Sequence, residues 1–229
     1  MPNWERNWLG GGVLFLVLLI IAQVFYGSQP KLGASPAELV SFFHGDRTRI
    51  LIATVIFCFA FLELIWFGAA LSSVLRDADL GGWAGAAIAS SAALGALLFL
   101  RMTIRAALAF SIVGSVTTLA VAPALSDFAF VLTVLMAFPT AMFVMAGAFG
   151  LWRAEIISQR FFTVGVVVVI LTLLGGTTWA SDGFWAPDGA YQLISQLVAY
   201  AWIAVISGVL YMRSPATATA PDRAAVPTQ

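Results

Sequence analysis

Glu63 is the residue whose position in this chain invites chemistry. It stands near the middle of residues 50–75, an apolar run read as one membrane-spanning helix. A carboxylate at the centre of a bilayer costs about 2.5–3.5 kcal/mol on insertion scales, so such a residue is usually kept for a partner or a function. Three roles fit it. It could be a structural acid hydrogen-bonded to Ser, Thr or Gln on a neighbouring helix. It could be the proton site of a small proton-linked carrier. It could be the general acid of an intramembrane enzyme acting on a lipid or isoprenoid substrate. The enzyme needs an apolar cavity, for which Phe57, Phe61, Trp66 and Phe67 are the candidate lining. No second carboxylate can be named at matching depth, which favours the structural role. Arg101 could pair with Glu63 only through a displaced or tilted third helix, because by rise per residue the two lie far apart.

The second set of chemically capable residues is His44, Asp46, Arg47, Arg49, Arg101, Arg105, Asp127, Asp182 and Asp188. Its functional reading is a lipid-headgroup or small-anion site with Arg47, Arg49, Arg101 and Arg105 as donors, since guanidinium groups match anionic oxygens bidentately. Its plain reading is a solvated rim of ion pairs, each contributing little. His44 reads as an interface residue. Met136, Met142 and Met145 with Phe138, Phe143 and Phe149 read as bundle core. Gly10-Gly11-Gly12 and Gly175-Gly176 are not phosphate loops, because no strand precedes them and no Lys follows. The single cysteine, Cys58, and single histidine make no internal disulfide and no metal-ligand spacing, so no metal or cofactor is expected.

These residues are carried by an unusually apolar chain. Of 229 residues, 61% are hydrophobic and 10% charged, with a mean hydropathy of +0.98. A soluble domain carries roughly 25% charged residues, so the outer solvent of this chain must be lipid. Eleven basic and eleven acidic residues cancel, and no global field points to nucleic acid.

The expected fold is an all-α polytopic transmembrane bundle filling residues 1–213, followed by a disordered cytoplasmic tail over 214–229, which is rich in Pro, Ala and Thr. Trp4 and Trp8 are interface anchors before a first span at residues 9–26; a cleaved signal peptide is the rival reading of that stretch. Ser35-Pro36-Ala37-Glu38 is a helix start, with Ser as N-cap, Pro at the first position and Glu at the third. It opens a short interfacial helix over residues 36–44. The second span, 50–75, closes at Arg76-Asp77-Ala78-Asp79, and Gly81-Gly82 is expected to break the helix. The third span starts near Trp83, and its Gly81, Gly85, Ser91 and Gly95 read as a close-packing stripe. Further spans fall at 128–152, with a kink at Pro139, at 161–179 and at 190–212.

Residues 101–127 leave two topologies open. They form either a seventh span over 106–125 or an extension of the third helix. With six spans and the N-terminus inside, Arg6, Arg76, Arg153, Arg160, Arg213 and Arg223 face the cytoplasm, and Lys31, Arg47, Arg49, Arg101 and Arg105 face outward. With seven spans only Arg6 and Arg76 lie outside, which suits the positive-inside rule better. That alternative must turn the chain within residues 101–105, where no Gly, Pro or Asn is available.

Several stretches carry a resemblance: Ser35-Pro36-Ala37-Glu38-Leu39-Val40 with residues 44–49, Leu75-Arg76-Asp77-Ala78-Asp79, Ala107-Leu108-Ala109-Phe110, Phe138-Pro139-Thr140-Ala141, and residues 183–191. Together they resemble a group of uncharacterised actinobacterial multi-pass membrane proteins of DUF4386-like layout. The resemblance implies six spans with both termini cytoplasmic, and it carries no activity, cofactor or catalytic residue. Residues 111–122 are more apolar here than that group implies. The expected function is a non-enzymatic structural or accessory component of the cell membrane, whose partners are the bilayer and another membrane protein or a second copy of itself.

Overall fold

The computed structural model describes residues 7–111 and 116–213. The Trp4 anchor, Arg6 and the expected tail over 214–229 lie outside the described residues. Within them the protein is helical, without a strand: α1 (Gly11–Tyr26), α2 (Pro36–Gly45), α3 (Arg47–Asp77), α4 (Gly81–Ser111), α5 (Val116–Leu135), α6 (Ala137–Arg153), α7 (Gln159–Gly175) and α8 (Ala190–Arg213). Among the described residues, four helical stretches are long and apolar enough to cross a membrane: α3, α4, residues 120–153 and α8. Two apolar helices, α1 and α7, are shorter, at 16 and 17 residues.

α3 is the axis of the bundle. Its buried residues, Ile50, Ala53, Phe57, Ala60, Leu64, Phe67, Leu71 and Leu75 among them, recur every three or four positions and form one stripe. The opposite face, with Ile52, Val55, Phe59, Leu62 and Trp66, is exposed. Large exposed apolar side chains recur around the bundle, up to Val24 at 75% and Met212 at 76%. Water would not tolerate so much apolar surface on a monomer; a lipid surround does. α3 packs against α1 on one side and α4 on another, while α6, α7 and α8 complete the bundle.

Small residues set the closest approaches. A Cβ on Gly68 of α3 would lie 2.4 Å from the Ser91 Cβ of α4, and one on Gly95 would lie 2.7 Å from Ile65. The expected stripe is therefore half right: Ser91 and Gly95 are contact points, whereas Gly81 and Gly85 meet nothing within 4 Å. Many hydroxyl groups are satisfied inside their own helices. Thr54, Ser90, Thr103, Thr133, Thr140 and Thr172 each donate to the carbonyl four residues back, so burial does not leave these bare; the buried Ser72 hydroxyl of α3 has no partner among the described residues.

Local chemistry explains the boundaries. At α2 the Ser35 side chain accepts from the Glu38 N–H, and the Glu38 carboxylate accepts from the Ser35 N–H at 2.8 Å, the expected capping box. Between α3 and α4 the turn falls at Ala78 to Leu80, with Asp79 at φ 58°. Gly81-Gly82, expected as a breaker, instead opens α4. The kink expected at Pro139 is a helix break three residues earlier, at Met136. Proline lacks the N–H that would bond Leu135, four residues back, and its ring crowds that carbonyl. Arg101 and Arg105 lie inside α4, which runs unbroken to Ser111. The turn that a seventh span requires at residues 101–105 is therefore absent; residues 106–111 belong to α4 and residues 116–125 to α5.

Candidate functional site

The two ends of α1 hold the charged residues singled out above. At its start, three glycines replace side chains by neighbours. A Cβ on Gly10 would meet Asn7 O and the Tyr211 ring; one on Gly11 would lie 2.9 Å from the Glu63 carbonyl oxygen and 3.2 Å from its Oε2; one on Gly12 would lie 2.7 Å from Ser207 Cβ. The glycine run is the seat on which α3 and α8 approach α1. Ser207 completes the joint, donating to the Leu9 carbonyl and accepting from the Val13 N–H at 3.2 Å.

Glu63 is half-buried at this seat. It is central in the 31-residue α3 yet lies beside the first residue of α1. Close by along α3, Trp66 packs on Trp8, ring centroids 5.6 Å apart. Among the described residues Glu63 has no hydrogen bond and no ion pair, so the Ser, Thr or Gln partner expected for it is not there. The aromatic residues expected to line a cavity instead occupy one another: Phe57 stacks on Phe61 at 6.0 Å, Phe61 meets Phe99 at 5.4 Å, and Phe67 meets Phe143 at 5.9 Å. The surface carries shallow depressions at the other end of α1 and α3. One, of about 350 Å³, runs along Arg47, Thr48, Leu51, Ile52 and Val55. Another is made by residues 28–34 with Glu38 and Phe42. Glu63 lines neither.

At the far end of α1 the predicted arginine set divides. Arg49 pairs with Asp46 at 2.6 Å and covers Gly27, the residue after α1, whose φ of 77° suits glycine. Arg47 lies over the exposed Phe110 ring at 5.3 Å. Both remain at the rim. Arg101 and Arg105, expected at the same rim, are drawn into the bundle. Arg105 is 5% exposed and sits over the ring of Tyr26, the last residue of α1, at 5.1 Å. Arg101 is half-buried, with its Nε shut off from any partner. The buried Tyr200 of α8 is its second phenolic neighbour. Glu63 and Arg105 thus mark opposite ends of the 16-residue α1, about 24 Å apart.

The remaining polar residues at this end hold loops. Asp127 accepts from the Gly33 N–H at 3.0 Å, and Asp188 from the Leu32 N–H at 3.2 Å. These two aspartates fasten residues 27–35 to α5 and to the loop before α8. His44 and Asp182 are exposed. No cluster of three or more metal-ligating side chains occurs among the described residues.

One polar centre went unrecognised in the sequence. Gln192, 3% exposed, donates its amide to the Thr133 carbonyl at 2.8 Å and accepts from the Thr178 hydroxyl at 3.2 Å. It ties α8 to α5 just before the break that Pro139 imposes. Its signal was an amide in an otherwise apolar run, three residues before Ser195. No family model, curated protein or solved structure matches this chain.

Proposed function

We propose that the chain is a six-span protein of the cell membrane, with both termini cytoplasmic, that serves as a non-enzymatic structural or accessory component. The observation that carries this reading is the setting of Glu63. It rests against the backbone of α1, with no hydrogen bond and no ion pair among the described residues, and it lines neither surface depression described above. Carrier or acid chemistry needs at least one of these.

The burial of Arg101 and Arg105 supports the six-span orientation. The positive-inside rule counts loop charges. With those two arginines inside the bundle, the outward loops retain Lys31, Arg47 and Arg49, against Arg6, Arg76, Arg153, Arg160, Arg213 and Arg223 on the other side. For a partner, the face of α4 that carries Gly85, Ala89, Ala92 and Ala96 is exposed and would let another helix approach closely.

The deciding experiment compares wild type with Glu63→Gln. The accessory reading expects unchanged co-purification of the same membrane partner and equal proton flux in proteoliposomes. A flux that Glu63→Gln abolishes would replace it with the carrier reading. Sidedness is read separately in a Cys58→Ser background, where Ser158→Cys should label only from the cytoplasm and Asp182→Cys only from outside.

A further inference from the structure

Arg101 and Arg105 stand one turn apart on α4, so their side chains leave the same helix face. Like charges at this spacing repel, and a buried charge without a counter-charge is strongly unfavourable. A guanidinium group does not relieve this by giving up its proton. Yet no carboxylate answers either arginine. The one ion pair among the described residues is Arg49 with Asp46. Three acids are otherwise engaged: Asp127 and Asp188 on the backbone of Gly33 and Leu32, and Glu38 on Ser35. Asp182 is exposed on its loop. What faces the pair instead is Tyr26 and Tyr200, two phenols that supply more donors and no formal negative charge. Tyr26 is itself held by Phe42 and Phe57, and Tyr200 by Phe15, so the donors are fixed in place. The assembly holds two positive charges and phenol hydroxyls free to orient their protons, with no counter-charge among the described residues.

We propose that Arg101 and Arg105, with the Tyr26 and Tyr200 hydroxyls, bind a phosphate group that enters the bundle between α1, α4 and α8. A phosphate offers the charge and the several acceptor oxygens that two planar guanidinium forks require. Arg101 is only half-buried, which leaves it an approach, while Arg105 is buried one turn further along α4. The group is carried either by an anionic phospholipid or by free phosphate. The site stands apart from Glu63 and is independent of whether the protein is an accessory component.

The test uses the full chain, purified in neutral detergent and delipidated. Its unfolding midpoint is followed by tryptophan fluorescence against inorganic phosphate, with chloride at matched ionic strength. In parallel, native mass spectrometry counts phosphatidylglycerol retained from mixed micelles. A midpoint raised by phosphate identifies the free anion as ligand; one retained phosphatidylglycerol without a phosphate response identifies the lipid. In either case Arg105→Gln weakens binding about tenfold or more, the loss expected of a charge-assisted bond, and Arg76→Gln, at the other end of the bundle, leaves it unchanged. Arg101→Lys keeps the charge and removes the fork, so it reports on the site should Arg105→Gln fail to fold; it too must weaken binding. The proposal is overturned if neither ligand acts, if the arginine variants bind as wild type does, or if Arg76→Gln loses as much as they do.

Discussion

The two ends of α1 treat charge in opposite ways. At one, a single carboxylate lies against the glycine run of α1, with no hydrogen bond among the described residues. At the other, two guanidinium groups crowd against phenols with no acid between them. The difference teaches that the midpoint of a helix is not the midpoint of a bundle. α3 is 31 residues, about 46 Å, and α1 is 16 residues, about 24 Å. The middle of the longer helix therefore meets an end of the shorter. Glu63 stays at the middle of α3 while standing at the glycine-bearing end of α1. The arginines, which a hydropathy reading treats as an interruption, belong to the interior.

This contrast can be broken or sharpened by substitution. The largest effect is expected at the glycine seat. An alanine usually stabilises a helix relative to glycine, and Gly85→Ala, where a Cβ meets nothing within 4 Å, should do so. Gly11→Ala would set a Cβ 2.9 Å from the Glu63 carbonyl oxygen, and backbone yields poorly, so a loss of about 1–3 kcal/mol is expected. Thermal unfolding of both variants in one detergent reads the opposite signs; equal signs would mean that Glu63 is not seated on α1.

Next in size is a polar residue that, unlike Glu63, has partners. Gln192→Leu leaves the Thr133 carbonyl without its present partner, while the Thr178 hydroxyl keeps the Gly175 carbonyl, at a cost of about 1–3 kcal/mol. Glu63→Gln, which loses no hydrogen bond among the described residues, should stay within about 0.5 kcal/mol. A larger loss at Glu63 than at Gln192 in the same thermal assay would reverse their ranking.

The smallest effect lies outside the bundle. The Ser35 N–H and hydroxyl on its carboxylate hold Glu38 below the ordinary glutamate range. A depressed folded value means that the capping box stabilises α2 fully above the ordinary range of about 4.3. The contribution fades as pH falls through the lower, folded value. Hydrogen exchange over residues 36–43, corrected for intrinsic rates, should show this acid loss in wild type and not in Ser35→Ala.

Much of the fold was legible because it depends on runs and local chemistry. The positions of the apolar helices follow from hydropathy, the start of α2 from Ser35, Pro36 and Glu38, and the tight spots of α4 from Ser91 and Gly95. Local chemistry also misled: Gly81-Gly82 starts a helix, because a following apolar run outweighs two flexible residues. What could not be read was which helix meets which, and at what height. The purpose of Gly10-Gly11-Gly12 exists only once α3 and α8 lie against α1. The partnering of Gln192 exists only once Pro139 has broken the helix opposite. The depth of Arg101 and Arg105 depends on α4 continuing past them to Ser111, where residues 101–105 alone offered a choice between turn and helix.

The hydroxyls that bond back into their own helices bear on how such a chain is made. A segment whose Ser and Thr side chains are already satisfied can leave the ribosome's aqueous path and enter lipid alone, before any neighbour exists. The bonds that do reach across helices come from α8: Gln192 to Thr133, Tyr191 to Leu171 and Ser207 to Leu9. α8 is the last of these helices to be synthesised, and all three acceptors precede it in the chain. Its insertion would therefore find these three acceptors waiting, and the final helix would act as the latch that closes an already inserted set.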